Sequence, residues 1–360
     1  MARSKVAVIK TSPATVLEDY ARLMHLADYQ SHIPKDTQIG LKINISWHFY
    51  YPACSTPPWQ LEGVIRTLLD DGYPRENLYA CHNRTVVVSA KRGERNNKQL
   101  PVVQKYGLRN IHLYENEEWV PYEPKGKMRV LYDIFPKGIK IPKRFLGSSI
   151  IHLPTMKTHV FTTMTGAMKN AFGGLLNEKR HYTHSVIHET LVDLLTIQKE
   201  IHPGLFAVTD GTIAGDGPGP RCMIPHITNY ILASADQVAI DAIAARMMGF
   251  EPLDLKFIRL AHEAGLGCGD PKEIDIVGED ISEVNFHFQK DKNTLASKGQ
   301  KLIYWGPLKP LEKVLLRSFI TPWSYVASVI FHDYMWHPFI GRRRTKQILK
   351  TDWGQLFRQY

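Results

Sequence analysis

The chain has 360 residues, of which 44% are hydrophobic and 22% charged, so it can bury a sizeable core and is not expected to be largely disordered. The net charge is +10, and most of the excess lies in residues 301–360, which hold ten Lys or Arg against three acids. No apolar run reaches the ~18 residues of a spanning helix, and the first ten residues lack the apolar region of a signal peptide. We therefore expect a soluble, cytoplasmic protein of one large domain or two interleaved lobes.

Alternating strand and helix patterns run from the start of the chain. Residues 5–81 read as β-α-β-α-β, which predicts a parallel sheet covered by helices. Residues 84–147 are rich in charges, Pro and Gly, and we expect an irregular insertion with a few strands. The predicted strands are 5–9, 38–44, 78–81, 149–154, 205–209 and 230–234, and the predicted helices are 16–27, 59–69, 163–176, 186–200, 237–248 and 254–264.

These elements define an α/β fold class: a mostly parallel sheet with helices on both faces, followed by a helical C-terminal arm that is aromatic and basic. We expect the α/β domain to occupy residues 1–300 and the arm to occupy residues 301–360. Between strand 205–209 and strand 230–234, residues 211–220 are predicted to form a Gly-rich loop, which is not a phosphate-binding GxGxxG or Walker loop.

Polar side chains cluster where several predicted strands end, which is where open α/β sheets bind ligands. Lysine offers a point charge and asparagine a two-way hydrogen bond, a combination that suits a phosphate or a carboxylate. We predict that a ligand is bound by Lys42, Asn44, Thr56, Lys169, Asn170 and Asp210, and that Lys157, His159 and Asp216 are catalytic.

Lys157 and His159 are two residues apart, so in an extended segment their side chains reach the same pocket. His159 could act as an acid–base group near neutral pH. The predicted helix at 163–176 would add unpaired N–H groups at its N-terminus, which attract anions. The alternative for each position is ordinary: a solvated lysine, an Asp-Gly turn at Asp210, or a structural histidine.

A second histidine group contains His181, His184 and His188. His184 and His188 are four residues apart, a spacing that can hold a metal on one helix face, but we favour an exposed or capping face and predict no metal site there. Asp236 is expected to cap the helix at 237–248. Asp241, within the same helix, is expected to be partly buried and to pair with a pocket lysine.

The four cysteines, Cys54, Cys81, Cys222 and Cys268, are far apart in the sequence. They form no CxxC pair and match no zinc or ferredoxin spacing, so we expect a reducing compartment. Cofactors remain unknown at this point.

Residues 319–340 are crowded with aromatic side chains, and a cluster of Arg and Lys follows them. One interpretation is a peripheral membrane contact through residues 319–350, with aromatic rings at the headgroups and cations on anionic lipid. The favoured interpretation is a helical arm that packs on the domain, because Pro322 and Asp333 oppose deep insertion. No nucleic-acid partner is expected, since no known binding motif is present.

Together these segments resemble the family called domain of unknown function 362, in order over about residues 5–265. The matching segments are Lys42-x-Asn44, 55–57, 153–159, 165–173, Asp210–Gly211, 215–218 and 234–241. Many members carry ferredoxin-like cysteine motifs and are described as iron–sulfur proteins, and this sequence lacks those cysteines. The resemblance also implies an acidic residue at position 216. The fold is loosely similar to nickel-pincer lactate racemases, in which His and Lys move a proton beside a carboxylate.

Three functions follow as hypotheses. The first is an enzyme, possibly isomerase- or racemase-like, that acts on a small anionic metabolite through proton transfer. The second is a protein with an iron–sulfur redox partner, or one that handles a cofactor without turnover of its own. The third is a membrane-associated binding protein whose anchor is the C-terminal arm.

Overall fold

The structure is a computed structural model that describes residues 3–290, 292–317 and 321–360. Its strands are β1 (Ser4–Lys10), β2 (Ile39–Ile43), β3 (Leu78–His82), β4 (Arg109–His112), β5 (Trp119–Tyr122), β6 (Ile139–Pro142), β7 (Ser149–Leu153), β8 (Thr155–His159), β9 (Thr163–Met164), β10 (Leu205–Asp216), β11 (Ile224–Ser234) and β12 (Ile274–Gly278). Phe319 and Ile320, at the start of the aromatic segment, lie outside the described residues.

The α-helices are α1 (Val16–Leu26), α2 (Pro58–Asp70), α3 (Ala90–Asn96), α4 (Gln99–Lys105), α5 (Leu131–Ile134), α6 (Ala167–Asn170), α7 (Phe172–Leu175), α8 (Ile187–Ile201), α9 (Gln237–Met248), α10 (Lys256–Glu263), α11 (Leu295–Tyr304), α12 (Glu312–Arg317), α13 (Pro322–Val329), α14 (Arg342–Ile348) and α15 (Asp352–Gln359). A π-helical segment spans Ile330–Gly341. Turns of 3₁₀ helix lie at Tyr29–Ser31, Arg75–Asn77, Lys143–Phe145, Glu178–Val186, Pro252–Asp254, Pro271–Glu273 and Lys309–Leu311.

Ten strands form the main sheet, in the order β12-β1-β11-β10-β7-β2-β3-β4, with β8 and β9 attached beside β10. The pairs β10/β7, β7/β2, β2/β3 and β3/β4 are parallel, whereas β11 runs antiparallel to β1 and β10. The parallel strands therefore place their carboxyl ends along one edge, as the βαβ pattern predicts. The predicted fold class, a mostly parallel sheet in an α/β protein, is confirmed.

The sheet separates two hydrophobic cores, and alternate residues of β1 show the division. Val6 and Val8 pack in one core with α8 and α9. Ala7 and Ile9 pack in the other core with α1 and α2. Helices therefore cover both faces, and each core seals one side of the strands that end at the candidate site.

Several predicted boundaries were wrong. The strand that was predicted to end at residue 209 continues to Asp216, so most of the predicted Gly-rich loop is strand β10, with an irregularity between Gly211 and Ile213. The single helix predicted at 163–176 is instead strand β9 followed by the short helices α6 and α7. Within the predicted irregular insertion, β4 is an edge strand of the main sheet.

The C-terminal arm is helical and packs on the sheet domain. Nε1 of Trp47 donates to Asp333 at 2.7 Å, which ties the π-helical segment to the loop after β2. Further along, Trp353 is buried, and its ring lies 5.1 Å from that of Trp59 on α2. In the described ranges, no helix combines the length and apolar character needed to cross a membrane.

Candidate functional site: a cavity lined by lysines

A cavity of about 290 Å³ lies at the carboxyl ends of β2, β3 and β8, and residues of the C-terminal arm form part of its wall. We call it the lysine cavity. Its cationic lining consists of Lys42, Lys157, Lys169, Arg180 and Arg221. No Asp or Glu of the described residues lines it. A concave site with several cations and no lining acid is suited to an anion.

Lys42 and Lys157 bring buried ammonium groups to this cavity. Nζ of Lys42 donates to the main-chain oxygen of Ile43 at 2.7 Å, and Nζ of Lys157 donates to that of Cys54 at 2.9 Å and to the Thr155 hydroxyl at 2.5 Å. The two lysines are 3% and 1% exposed, and burial lowers the pKa of each to about 8. Because their bonds go to neutral oxygens, neither ammonium group forms an ion pair with an acid of the described residues.

Lys169 on α6 is the third lysine of the cavity and is partly buried. Its Nζ lies 5.3 Å from the centroid of the Phe172 ring, and no hydrogen bond or ion pair joins it to the described part of the chain. Burial, and then the charges of Lys157 and Arg180, lower the pKa of Lys169 to about 7. Lys169 is thus a cavity lysine whose protonation changes near neutral pH.

His159 lies at the end of β8, and its ring lines the cavity. The main-chain N–H of Phe161 donates to Nδ1 at 3.2 Å, so a neutral ring carries its proton on Nε2. Burial, followed by the charge of Lys169, holds the pKa of His159 well below its usual range. This geometry favours a neutral hydrogen-bond donor over the predicted acid–base group that titrates near pH 7.

Asn44 and Asn170, which were predicted to bind the ligand, also line the cavity. The amide of Asn170 donates to the main-chain oxygen of Lys42 at 2.8 Å and thereby joins α6 to β2. The amide of Asn44 donates to the main-chain oxygen of Cys54 at 3.1 Å. Both asparagines therefore hold the lysine-bearing segments together as well as facing the cavity.

Thr56 and Asp210 do not line the cavity, although both were predicted to bind the ligand. The Thr56 hydroxyl donates to the main-chain oxygen of Leu153 at 2.7 Å. The Asp210 carboxylate accepts from the Tyr20 hydroxyl at 2.6 Å and from Nε1 of Trp59 at 3.0 Å. Each of these polar groups is satisfied inside the protein.

Asp216, predicted as a catalytic carboxylate, is buried at the end of β10 and also lies outside the cavity lining. It accepts the main-chain N–H of Gln289 at 2.7 Å. The preceding residue, Gly215, is the register partner of Lys157 in the β10/β8 pair. Asp216 is therefore the neighbour of a residue that pairs with a cavity lysine. Its carboxylate, however, is hydrogen-bonded to the segment after β12 and not directed into the cavity lining.

The N–H groups at the start of α6 are not available to a ligand, contrary to the expectation from sequence. The carboxylate of Asp241 accepts the N–H of Ala167 at 2.6 Å and that of Met168 at 3.1 Å. A β-carbon on Gly166, which has φ +105°, would meet this carboxylate at 2.3 Å. Asp241 therefore pairs with the backbone of α6 and not with a pocket lysine. Only glycine fits at position 166, directly against the Asp241 carboxylate.

The second histidine group does not occupy one helix face. His184 lies in the 3₁₀ turn Glu178–Val186, whereas His188 lies on α8. Nδ1 of His184 donates to the main-chain oxygen of His181 at 2.9 Å, and the ring faces the lysine cavity. His181 and His184 therefore belong to the wall of the cavity, whereas His188 does not line it. The change from 3₁₀ turn to α-helix separates His184 from His188, which were predicted to share one helix face.

Sequence reasoning missed both cavity arginines and the contribution of the arm. Nη2 of Arg221 donates to the hydroxyl of Ser328 on α13 at 3.3 Å, while its buried Nη1 has no partner in the described structure. Tyr325 and His332 from the arm also line the cavity. The run of basic and histidine residues at 179–184 was a signal for Arg180, but no pattern linked the arm to strand ends that are so distant in sequence.

The cysteines are free thiols. Cys54, Cys81 and Cys222 are buried, and burial raises the pKa values of their thiols to about 11, about 12 and about 12. Thiols with raised pKa values are weak nucleophiles and weak metal ligands near neutral pH.

The fold and the site define an α/β protein with a cationic cavity at the carboxyl ends of its parallel strands. The family model described as domain of unknown function (DUF362) matches residues 39–246, and the chain belongs to this family. The matched region carries β2, β8 and α6, which supply all three cavity lysines.

A curated relative is the thylakoid-associated protein sll1697 of Synechocystis sp., which is 28% identical over 124 residues. The aligned region covers 32% of this chain and 37% of the relative, so the chain spans little more than a third of the relative's length.

Proposed function

We propose that this chain binds a small carboxylated or phosphorylated metabolite in the lysine cavity. The observation that carries the proposal is three lysine ammonium groups around one cavity whose described lining contains no acid. Burying a positive charge without a partner is costly, and an anionic ligand offsets that cost. In this assignment Lys42, Lys157 and Lys169 bind the anion, and Asn44 and Asn170 orient it.

Proton transfer on the bound ligand is the chemistry that this lining supports best. Lys169 is the candidate acid or base, because its pKa of about 7 allows it to exchange a proton near neutral pH. His159, neutral and protonated on Nε2, would donate a hydrogen bond to an oxygen of the ligand.

The proposal is tested by the melting temperature of the full chain with inorganic phosphate, pyrophosphate and citrate as probes. We expect at least one probe to raise the melting temperature of the wild type, because binding to the folded state stabilises it. The variants Lys157→Met and Lys169→Met should lose this response, while Lys137→Met, at an exposed lysine outside the cavity, should keep it. Equal responses in all four proteins would reject the cavity as the site. Native mass spectrometry of the purified chain would then identify any ligand retained from the cell.

A second candidate function is peripheral membrane association through the outer face of the arm. While Tyr325 and His332 face the cavity, the exposed apolar side chains of the same region are Trp323, Val326, Ile330, Tyr334, Met335, Phe339 and Ile340. Tyr334 and Phe339 are 72% and 78% exposed, and the exposed cations Arg342, Arg343 and Lys346 follow them. Apolar rings beside cations suit an anionic lipid surface, and the curated relative is named as thylakoid-associated.

Asp333, which from sequence opposed insertion, lies inward against Trp47 and so leaves the outer face apolar. Co-sedimentation with phosphatidylglycerol vesicles tests this function, with phosphatidylcholine vesicles for comparison. We expect binding to the anionic vesicles that weakens with salt and is lost in an Ile330→Asp/Phe339→Asp double variant. Leu26→Asp, at an exposed apolar residue on α1, is the matched control. Failure of the wild type to bind either vesicle would rule out this role.

A further inference from the structure

Beside the lysine cavity, two histidines and a glutamate converge at the edge of the sheet. His82 ends β3, His112 ends β4, and the two residues are register partners in this parallel pair. Glu94 on α3 lies between them, with its Oε2 at 2.8 Å from Nε2 of His82 and 3.0 Å from Nε2 of His112. His82 and Glu94 are buried.

These three ligand atoms all lie within 4.8 Å of one another. Zn²⁺ bonds to nitrogen and oxygen at about 2.0–2.2 Å in a tetrahedron, which sets neighbouring ligand atoms about 3.3 Å apart. The two separations from Glu94 need to open by a few tenths of an ångström to admit such an ion, and the two imidazole nitrogens, which lie within 4.8 Å of each other, need to approach the same spacing. A carboxylate between two imidazoles therefore has the dimensions of a metal site.

The surroundings of the cluster also suit a cation. Nδ1 of His112 lies 3.1 Å from Oε2 of Glu115, which is the carboxylate–histidine arrangement that orients metal-bound imidazoles. The amide of Asn110 donates to Oε2 of Glu94 at 2.9 Å. Two carboxylates at this point balance the charge of a divalent ion. Nδ1 of His82 has no partner in the described structure, so the outer carboxylate serves only one of the two histidines.

We propose that His82, Glu94 and His112 bind one divalent transition-metal ion of the Zn²⁺ type. Two histidines and one carboxylate form a facial ligand set that leaves at least one coordination position for water or another ligand. The site is distinct from the lysine cavity and does not depend on its function, although His82 borders both. The competing explanation is a hydrogen-bonded network in which Glu94 joins the two rings without a metal.

The test uses the full chain, stripped with a chelator and then titrated with Zn²⁺ against a competing chromophoric chelator. We expect one Zn²⁺ per chain in the wild type, and a loss of affinity in Glu94→Gln and His112→Gln. His32→Gln, at an exposed histidine far from the cluster in sequence, should bind Zn²⁺ as the wild type does. Glu115→Gln should weaken binding by about 10-fold or more, because it removes the outer carboxylate.

Co²⁺ provides an independent readout, since visible absorption bands report its geometry and its nitrogen and oxygen ligands. The wild type should show these bands and His112→Gln should change them. His112 is only half-buried, so this variant keeps the test valid if Glu94→Gln fails to fold. The absence of Zn²⁺ binding at micromolar concentrations, or binding that both variants leave unchanged, would overturn the proposal and leave the hydrogen-bonded network as the explanation.

Discussion

The carboxylate of Asp241 caps the first turn of α6 through the N–H of Ala167, at a donor–acceptor distance of 2.6 Å. The two residues are 74 positions apart, and the contact joins α9 to the segment that carries Lys169 and Asn170. Burial raises the pKa of this carboxyl to about 8, and its bonds to the N–H groups of Ala167 and Met168 act against that shift. Asp241 therefore positions one of the cavity lysines without entering the cavity.

This contact predicts a remote effect of Asp241→Asn on the site. The substituted amide turns a donor toward N–H groups that need an acceptor, so we expect a loss of about 1–3 kcal/mol in the free energy of unfolding. We also expect weaker binding of the probe anion. Urea denaturation and calorimetric titration measure the two effects. The control is Asp275→Asn, at an exposed residue of β12, and equal behaviour of the two variants would contradict the positioning role.

A gain of stability is predicted for Lys169→Met in the absence of ligand. This substitution removes a partly buried cation without a carboxylate partner, so the free energy of unfolding at pH 7 should rise by about 0.5–2 kcal/mol while anion binding falls. Chemical denaturation at pH 7 checks the first result. Lys137→Met should change neither quantity, and a destabilised Lys169→Met protein would show that the lysine is structural.

The pH dependence of stability follows from the lowered lysine pKa values. In the unfolded chain a lysine keeps its proton up to about pH 10, whereas folded Lys169 loses it around pH 7 and Lys42 and Lys157 around pH 8. At these three lysines the unfolded state thus binds more protons between these limits, so they should add stability as pH rises from 7 to about 10. The buried thiols of Cys54, Cys81 and Cys222, whose pKa values are raised in the folded state, act in the opposite direction above about pH 8.5 and do so equally in the wild type and the variant. Urea midpoints across this range should rise less steeply with pH for Lys169→Met than for the wild type. Identical slopes would contradict the lowered pKa of Lys169.

Anion binding should take up protons at pH 8, because a bound negative charge raises the pKa values of the lysines around it. The observed binding enthalpy of the probe anion should therefore vary with the ionisation enthalpy of the buffer. Titration calorimetry in phosphate-free buffers of different ionisation enthalpy measures this uptake. The dependence should shrink in Lys169→Met, and a wild-type enthalpy that does not vary with the buffer would argue against lysines as the anion ligands.

His159 should remain a neutral imidazole with its proton on Nε2 between pH 6 and pH 8, since burial and Lys169 oppose its protonation. Nitrogen-15 chemical shifts of the ring report the tautomer directly, and His32 provides an exposed reference in the same spectrum. A His159 signal that titrates through this range in the ligand-free protein would contradict the structure and restore the predicted acid–base role.

The sequence predicted the site best where chemistry and local pattern coincided. Lys42, Lys157 and His159 follow runs of apolar residues, so their position at strand ends could be recognised. Asp210 follows the same rule, and Asp216 was predicted in the loop after that strand. Both carboxylates nevertheless bond inside the protein, because the partners that satisfy them, Tyr20 and Gln289, lie far away in sequence. A strand-end position thus identifies a neighbourhood but not the direction of a side chain.

Glycines and short strands account for most of what the sequence could not predict. Gly211 and Gly215 looked like loop residues but lie within β10. A β-carbon on Gly211 would lie 3.0 Å from the main-chain oxygen of Tyr230, and one on Gly215 would lie 2.5 Å from the sulfur of Met223. Close packing around the strand therefore explains why glycine occupies both positions. Strand β4 has only four residues and was read as part of an irregular insertion. With β4 unrecognised, the pairing of His82 with His112 could not be inferred.

The two faces of the arm have a thermodynamic consequence. On α13, Tyr325 borders the cavity while Val326, the next residue, is 57% exposed. A lipid surface that displaced this helix would reshape a wall of the chamber, and the affinity for the enclosed molecule would change with it. By thermodynamic linkage the converse would also hold: a molecule bound in the chamber would change the affinity of the arm for the lipid surface by the same factor.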